Sequence, residues 1–543
     1  MHVTSNNGVL YQDAIIAYKA VAERILVNPN VSASFTSDLL KAYHPDYLQN
    51  ACGLLRVGGN RDAQCHHQLV DALQSHSHLK PADITNMPVT ETDILVIGGG
   101  GAGCAAALTA AQQGSEVILA TKLRLGDSNT VMAEGGIQAS INKGDSPQQH
   151  FDDILSSANQ PVNKQLVADL VMDAPDVLLW LIEQGMQFDL DDHGNMCTRR
   201  AGGASQSRVV FCRDYTGLEL MRVLKESIRN SQVDVWNYAP AIELTTDSKG
   251  QCTGAVLLSL EDNQYTLVKA RSVILATGGL GRMHLNNFPT SNHLGATGDG
   301  LVLAYRIGAR LRDLETFQYH PSGLIFPASM QGVMVTEGIR SSGAYLLNAQ
   351  GQRFIDELES RDIVSAAIIK ECRQGRGVQV SDDLSGVWLD TPGLELRSPG
   401  ILNQRFPKLI AAAKNAGIDP RYKPLLIYPT LHYQNGGAVI DQHGQSTVKG
   451  LYCVGEVSGG IHGKNRLMGN SLLEIISFGR KAGQHAALSS PSTQHGEAGI
   501  SHLIHFNAEL QQAQIPLEKK SPVLFPEYTK FEIGCDFRGS EKI

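Results

Sequence analysis

The sequence predicts an α/β protein built from two or three units, and three observations carry that prediction. A strand–helix–strand pattern opens at Thr92, two later apolar runs end in glycines, and 543 residues exceed what one hydrophobic core organises. The opening reads "TDILVIGG" as a short buried strand, "GAGCAAALTAAQQG" as a helix of small residues and "SEVILATK" as a second strand. The runs "SVILATGGLGR" and "GLYCVGEVSGG" finish in glycine, as parallel strands do where their carboxyl ends face a ligand crevice. Hydrophobic residues make up 42% of the chain, ample for such cores.

The stretch before this opening is less regular. Residues 1–90 read as an N-terminal extension of unknown role, with one amphipathic helix over "YQDAIIAYKAVAERIL" and irregular stretches after it. Its His66, His67, His76 and His78 lack the paired spacing of a zinc site and read as a solvated helix face, so no metal is expected. Pro88 precedes the first strand.

Composition narrows the function classes. A net charge of −8 and a pI near 6.1, with no Lys/Arg run interleaved with aromatics, exclude a nucleic-acid footprint. Nine scattered cysteines without a C-x-x-C pair argue against a disulfide framework, a zinc ribbon and an iron–sulfur cluster, so the chain is expected to work reduced. The start "MHVTSNNGVLYQD" has no basic segment followed by an apolar one, and "ILVIGGGGAGCAAALTAA" is broken by glycines where a membrane helix needs bulk. A cytoplasmic location without a transmembrane segment is expected, with peripheral docking on a membrane complex left open.

Gly98, Gly100 and Gly103 form G-x-G-x-x-G after a strand and at the start of a helix. That arrangement brings backbone close to a pyrophosphate and aims the helix amides at it. Thr121 and Lys122 end the second strand where a nicotinamide-binding fold carries its ribose-binding acid, which counts against NAD and leaves Lys122 facing another cofactor. Ser128, Asn129 and Thr130 with the Gly135–Gly136 pair offer a small, polar surface for a flat ring system; a plain loop reads the same way.

The ordered set "GGGGAG", "AEGGI", "ATGGLGR", "TGDG", "FQYHPSG", "TEGIRSSGAYL", "SRDIVS", "PTLHYQNGG", "GLYCVGE" and "HGKNRLMGNSLLE" resembles the succinate dehydrogenase, fumarate reductase and L-aspartate oxidase flavoprotein family over residues 90–490. The resemblance implies a Rossmann-like FAD-binding domain in two parts, 91–312 and 431–490, interrupted by an α+β capping domain at 313–430 and followed by a short C-terminal segment, 491–543. It also implies that Ala276 of "ATGGLGR" lies against FAD, that Asp299 and Glu456 hold ribityl or ribose hydroxyls, and that Ser471 and Leu472 present helix amides to the flavin's pyrimidine carbonyl.

By the same resemblance a four-carbon dicarboxylate lies between His320, Thr336, His432 and Arg466, with Arg466 and His432 on one carboxylate and Thr336 and His320 on the other. Glu337, Arg340 and Arg361 are implied as the proton path, Arg361 delivering a proton to one alkene carbon while hydride from reduced flavin reaches the other. Burial beside a second cation, Arg340, would ease the loss of a proton from a guanidinium. The implied reaction is FAD-dependent reduction of fumarate to succinate, or the reverse.

Two departures refine this. Family members with covalent FAD read R-S-H-T before A-E-G-G, whereas this chain reads "DSNTVMAEGG"; Asn129 cannot form the histidyl bond, so noncovalent FAD and a tilt toward fumarate reduction are expected. L-aspartate oxidases read R-E-G-G-H, where the Glu meets the substrate ammonium, and "TRRAGGAS" puts Ala201 there. A methyl leaves a buried ammonium unpaired at a cost of several kcal/mol, which makes an amino dicarboxylate the alternative substrate. A flavin-binding interaction subunit with residual catalysis is the other alternative. Without cluster cysteines, electrons are expected from a separate iron–sulfur subunit or a diffusible donor.

Overall fold

The computed structural model describes residues 36–48, 50–381, 384–490, 495–516 and 518–526, together with Asp13, Ile15, Ile16, Tyr18 and Lys19. The helix expected over residues 11–26 lies outside the described residues apart from those five. Of these, Ile15 and Tyr18 are buried, and the Tyr18 hydroxyl donates to Asp390 Oδ1 at 2.5 Å.

Residues 36–87 are packed on the rest of the chain and not loosely appended to it. They form helix α1 (Thr36–Tyr43), the hairpin strands β1 (Cys52–Leu54) and β2 (Gln64–His66), and helix α2 (His67–Leu73). His66 ends β2 and is fully buried, which corrects the reading of a solvated histidine face; His67 and His78 are exposed as expected. The reason is local. Strand pairing places Cys52 opposite His66 and turns the ring inward, toward Asp46.

The βαβ opening forms where the sequence places it: β3 (Val89–Ile97), α3 (Gly101–Gln112) and β4 (Val117–Ala120). Strand β3 starts three residues before Thr92 because Val89–Thr92 find partners on β8 (Tyr265–Leu275), which is reached through β5 (Asp234–Trp236), β6 (Ala241–Thr246) and β7 (Cys252–Leu258). Strands β5, β4, β3 and β8 run parallel in that order, while β8, β7 and β6 form an antiparallel meander.

The chain then builds a second, antiparallel sheet from β9 (Phe317–Leu324), β10 (Leu346–Leu347), β11 (Val378–Ser381), β12 (Leu384–Leu389) and β13 (Leu425–Gln434), with β9, β13, β12 and β10 side by side in that order and β11 on β12. Helices α4 (Arg361–Arg373) and α5 (Pro407–Asn415) lie within this stretch. The boundary expected at 430 falls inside β13. Strand β14 (Leu451–Cys453) returns to the first sheet, parallel to the end of β8, and α6 (Asn470–Ser489) follows.

Helix α6 packs on α3 at short range because both carry small residues at the contact. A Cβ on Gly483 would overlap the Ala106 carbonyl, and one on Gly479 would sit 2.7 Å from the Ala102 carbonyl oxygen. Helix α7 (His502–Gln512) is the last helix of the described residues and, with Leu79 and Ile500, covers Ile242, Val256 and Leu267 on the meander through Leu503. No helix of the described residues is long and apolar enough to cross a membrane.

Candidate active site

The carboxyl ends of β3, β4, β8 and β14 converge on a cleft of about 620 Å³, within the size range usual for cofactor sites. Gly98, Gly100, Lys122, Ser128, Asn129, Thr130, Ala276, Asp299, Glu456, Ser471, Leu472 and His432 all line it. Gly98 has φ +118°, and a Cβ there would overlap the Ala276 carbonyl oxygen, so only glycine lets β3 and β8 approach each other at this turn. Gly103 does not line the cleft. Its missing side chain lets α3 rest on the Gly98 carbonyl. Gly135 and Gly136 are not lining residues either; Gly136 turns the chain at φ +120° against the Val210 carbonyl, a packing position and not a ring-facing one.

Polar groups along the cleft are held firmly. Lys122 Nζ lies 2.6 Å from Asp299 Oδ2 and 2.7 Å from Thr297 Oγ1. Asn129 donates to Asn292 Oδ1 (2.7 Å) and Glu456 Oε2 (3.2 Å) and accepts from the His293 amide (2.6 Å), so its carboxamide is satisfied on both ends. Burial pushes the Glu456 carboxyl up, against the pull of the Gln434 amide and Asn129.

Next to this cleft, and sharing His432 with it, lies a buried cage of cations and imidazoles. Arg361 Nη1 and Arg466 Nη2 both donate to Gln318 Oε1, at 2.9 and 3.0 Å. The His320 and His432 rings meet edge to face at 5.2 Å, and His432 Nδ1 is 3.1 Å from the Ser291 hydroxyl. Burial, reinforced by Arg361 and the other nearby cations, holds both imidazoles well below their ordinary value and therefore neutral. Thr336 is buried at the start of the Glu337 turn, where its hydroxyl accepts from the Gly338 amide at 3.3 Å.

Glu337 ties the cage together. Its Oε2 lies 2.8 Å from Arg361 Nε and 3.4 Å from Arg340 Nη2, and its Oε1 accepts from the Gly202 amide at 2.8 Å. Burial alone would raise this carboxyl, but the two guanidiniums and the Gly202 amide bring it down to about 2. Arg466 is different. Its guanidinium stacks on the Tyr433 ring at 4.4 Å, its Nε has no hydrogen-bond partner, and no carboxylate among the described residues lies within ion-pair distance. Burial, with Arg361 nearby, lowers it to about 10, so it stays charged at neutral pH.

Residues 93–472 match a family model described as an FAD binding domain. One chain of the fumarate reductase (CoM/CoB) of Methanothermobacter marburgensis is 36% identical over 74% of this chain and 74% of its own length. The L-aspartate oxidase of Streptomyces coelicolor is 36% identical over 76% of this chain and 73% of its own. The chain belongs to the succinate dehydrogenase, fumarate reductase and L-aspartate oxidase family of flavoproteins. It is thus an FAD-dependent oxidoreductase of the type acting on CH–CH bonds. A mutant form of the E. coli quinol fumarate reductase chain FrdA superposes on this flavoprotein with a TM-score of 0.69 at 31% identity, covering 79% of this chain and 74% of that one.

The cleft of the flavoprotein fits FAD on its own geometry. The amides opening α3 could hold a pyrophosphate, those opening α6 face the same cleft, and no carboxylate ends β4.

Several residues that matter to this geometry were not singled out in the sequence. Gln318 is one, although the alternation of a strand through "FQYHPSG" puts Gln318 on the same side as His320, a signal that could have found it. Tyr433, Glu474 and His462 form a buried chain behind Arg466, with the Tyr433 hydroxyl donating to Glu474 Oε2 (2.8 Å) and His462 Nε2 at 2.7 Å from the same oxygen. Nothing in their spacing announces that chain.

Proposed function

We propose that this flavoprotein reduces fumarate, or a closely related four-carbon unsaturated dicarboxylate, to its saturated form. One observation carries the reading: Arg466 is a buried, charged guanidinium with no carboxylate of its own, 3.0 Å from a carboxamide oxygen that also holds Arg361. A buried cation without an anionic partner is costly, so a site that keeps one is built for an anion that arrives from outside.

In this reading Arg466 and His432 take one carboxylate and Thr336 and His320 the other. The neutral imidazoles donate hydrogen bonds without adding charge. Bound FAD, when reduced, supplies the hydride. Arg361 gives the proton to the alkene carbon, and Glu337, set between Arg361 and Arg340, passes the replacement from Arg340; the 2.8 and 3.4 Å contacts support this order. Gln318 keeps the two guanidiniums at a fixed spacing until the dicarboxylate draws on them.

FAD in this cleft would have its pyrophosphate held by the α3 amides, with Lys122 and Asp299 toward its nucleotide and Glu456, Ser471 and Leu472 toward its flavin. The satisfied carboxamide of Asn129 supports noncovalent FAD. Ala201, fully buried, gives an amino group nothing to bind, which weighs against an amino dicarboxylate. Relatives named as subunits suggest a separate protein or a diffusible carrier as electron donor.

The test is direct. Purified holoprotein with dithionite-reduced viologen should oxidise the dye when fumarate is added, and a flavin that stays reduced in fumarate's presence removes the proposal.

A further inference from the structure

The cage is braced from behind by a part of the chain outside the matched domain. Residues 36–48 touch three of the elements that carry cage side chains, namely β9, α4 and the turn before Arg466. On β9, Gln318 and His320 face the cage, so Phe317 and Tyr319 face away. Asp46 Oδ2 accepts from the Phe317 amide at 2.8 Å, and the His44 ring meets the Tyr319 ring edge-on at 5.4 Å. Helix α1 packs on α4, whose first residue is Arg361, and Gln374 at the far end of α4 donates to the Tyr43 hydroxyl at 3.3 Å. The Lys464 ammonium, two residues before Arg466, lies 5.0 Å from the Tyr47 ring centre.

The continuation of the same segment is fastened to the FAD-binding body. The Tyr305 hydroxyl donates to the Val57 carbonyl, Asn60 Nδ2 donates to the Ala309 carbonyl (2.9 Å), and the Leu311 amide donates to Asn60 Oδ1 (2.8 Å). Asp46 is the joint of this arrangement: its side chain is 2% exposed, and its Oδ1 lies 3.4 Å from His66 Nε2 on β2.

We infer that residues 36–66 are an internal brace for the substrate cage and that Asp46 is a positioning residue, setting β9 so that Gln318 spaces Arg361 and Arg466. The inference rests on the proposed dicarboxylate site, but its structural half is measurable without it. Asp46 touches no substrate. It acts through the Phe317 amide, one residue from Gln318.

Holoprotein carrying Asp46→Ala or Asp46→Asn is compared with wild type. Asparagine keeps an oxygen for the Phe317 amide; alanine leaves that amide without its partner. Asp46→Ala should bind malonate about tenfold more weakly, read from the flavin absorbance, and lose a similar factor in viologen-linked fumarate turnover, while Asp46→Asn stays within about threefold of wild type. In the same proteins without ligand, amide hydrogen exchange should speed up in 317–324 and 361–373 of Asp46→Ala and stay unchanged in 93–120. Wild-type exchange and affinity in Asp46→Ala would overturn the brace, and so would an asparagine variant as impaired as the alanine one. If wild type itself neither binds malonate nor reduces fumarate, the proposed substrate fails and the exchange data alone decide the brace. Should Asp46→Ala be recovered without flavin, His44→Ala, which removes the ring against Tyr319, goes through the same exchange comparison with the same two outcomes.

Discussion

Lys408, at the start of α5, reaches into the cofactor cleft and places its ammonium 2.8 Å from the Glu134 carboxylate. Burial raises Glu134 from 4.5 to about 7 even with Lys408 pulling the other way. The folded protein therefore holds a proton there that the unfolded chain releases, and this contribution to stability is lost as pH rises from 4.5 to 7. Glu134→Gln removes the titration. Its melting temperature relative to wild type should climb from pH 5 to pH 8, by up to about 3 kcal/mol of stability. Parallel curves for the two proteins would show that Glu134 does not titrate in this window.

Arg466 and Arg361 should separate on substitution. Arg466→Ala removes an ion-paired fork used in both ground state and transition state, so dicarboxylate affinity and turnover fall together. Arg361→Lys keeps the charge but moves the donor; turnover should drop by several orders of magnitude with flavin content and malonate binding changed far less. Near-normal turnover in Arg361→Lys would remove it as the acid. Undisturbed affinity in Arg466→Ala would remove the clamp.

Gln318→Glu tests whether the cage awaits an anion. A carboxylate 2.9 and 3.0 Å from the two guanidiniums would pair with both, occupying the charge that the substrate uses. Malonate binding should weaken by about 100-fold or more while the protein remains folded and yellow, a loss worth about 3 kcal/mol. Unchanged affinity would mean that these guanidiniums do not form the anion site.

Flavin attachment follows from Asn129. Acid precipitation should carry the yellow colour into the supernatant. Fluorescence remaining with the denatured polypeptide would refute noncovalent binding.

How far the sequence predicted this structure depends on the kind of signal each part carries. The βαβ opening was legible because burial on both faces demands an unbroken apolar run, and close approach demands glycine at Gly98 and Gly103. The cage residues were legible only as motifs: His320, Thr336, Arg361, His432 and Arg466 come from five separate stretches, and no local periodicity says that they meet. The brace was not legible. His44, Asp46 and Tyr47 sit in a single irregular turn, and what they do depends on Phe317, Tyr319 and Lys464, more than 250 residues away in sequence. His66 misled for a related reason, since its burial comes from a hairpin partner and not from a helical face.

The contact between α3 and α6 makes a gauge of the cleft. Gly479 and Gly483 lie so near the Ala102 and Ala106 carbonyls that neither helix can slide along the other without a backbone collision. Each helix opens on the cleft, α3 at Gly101 and α6 beside Ser471, so the distance between the two N-termini is fixed by four small residues. The separation of these two positive helix ends is therefore a property of the protein's own packing and not of what it binds.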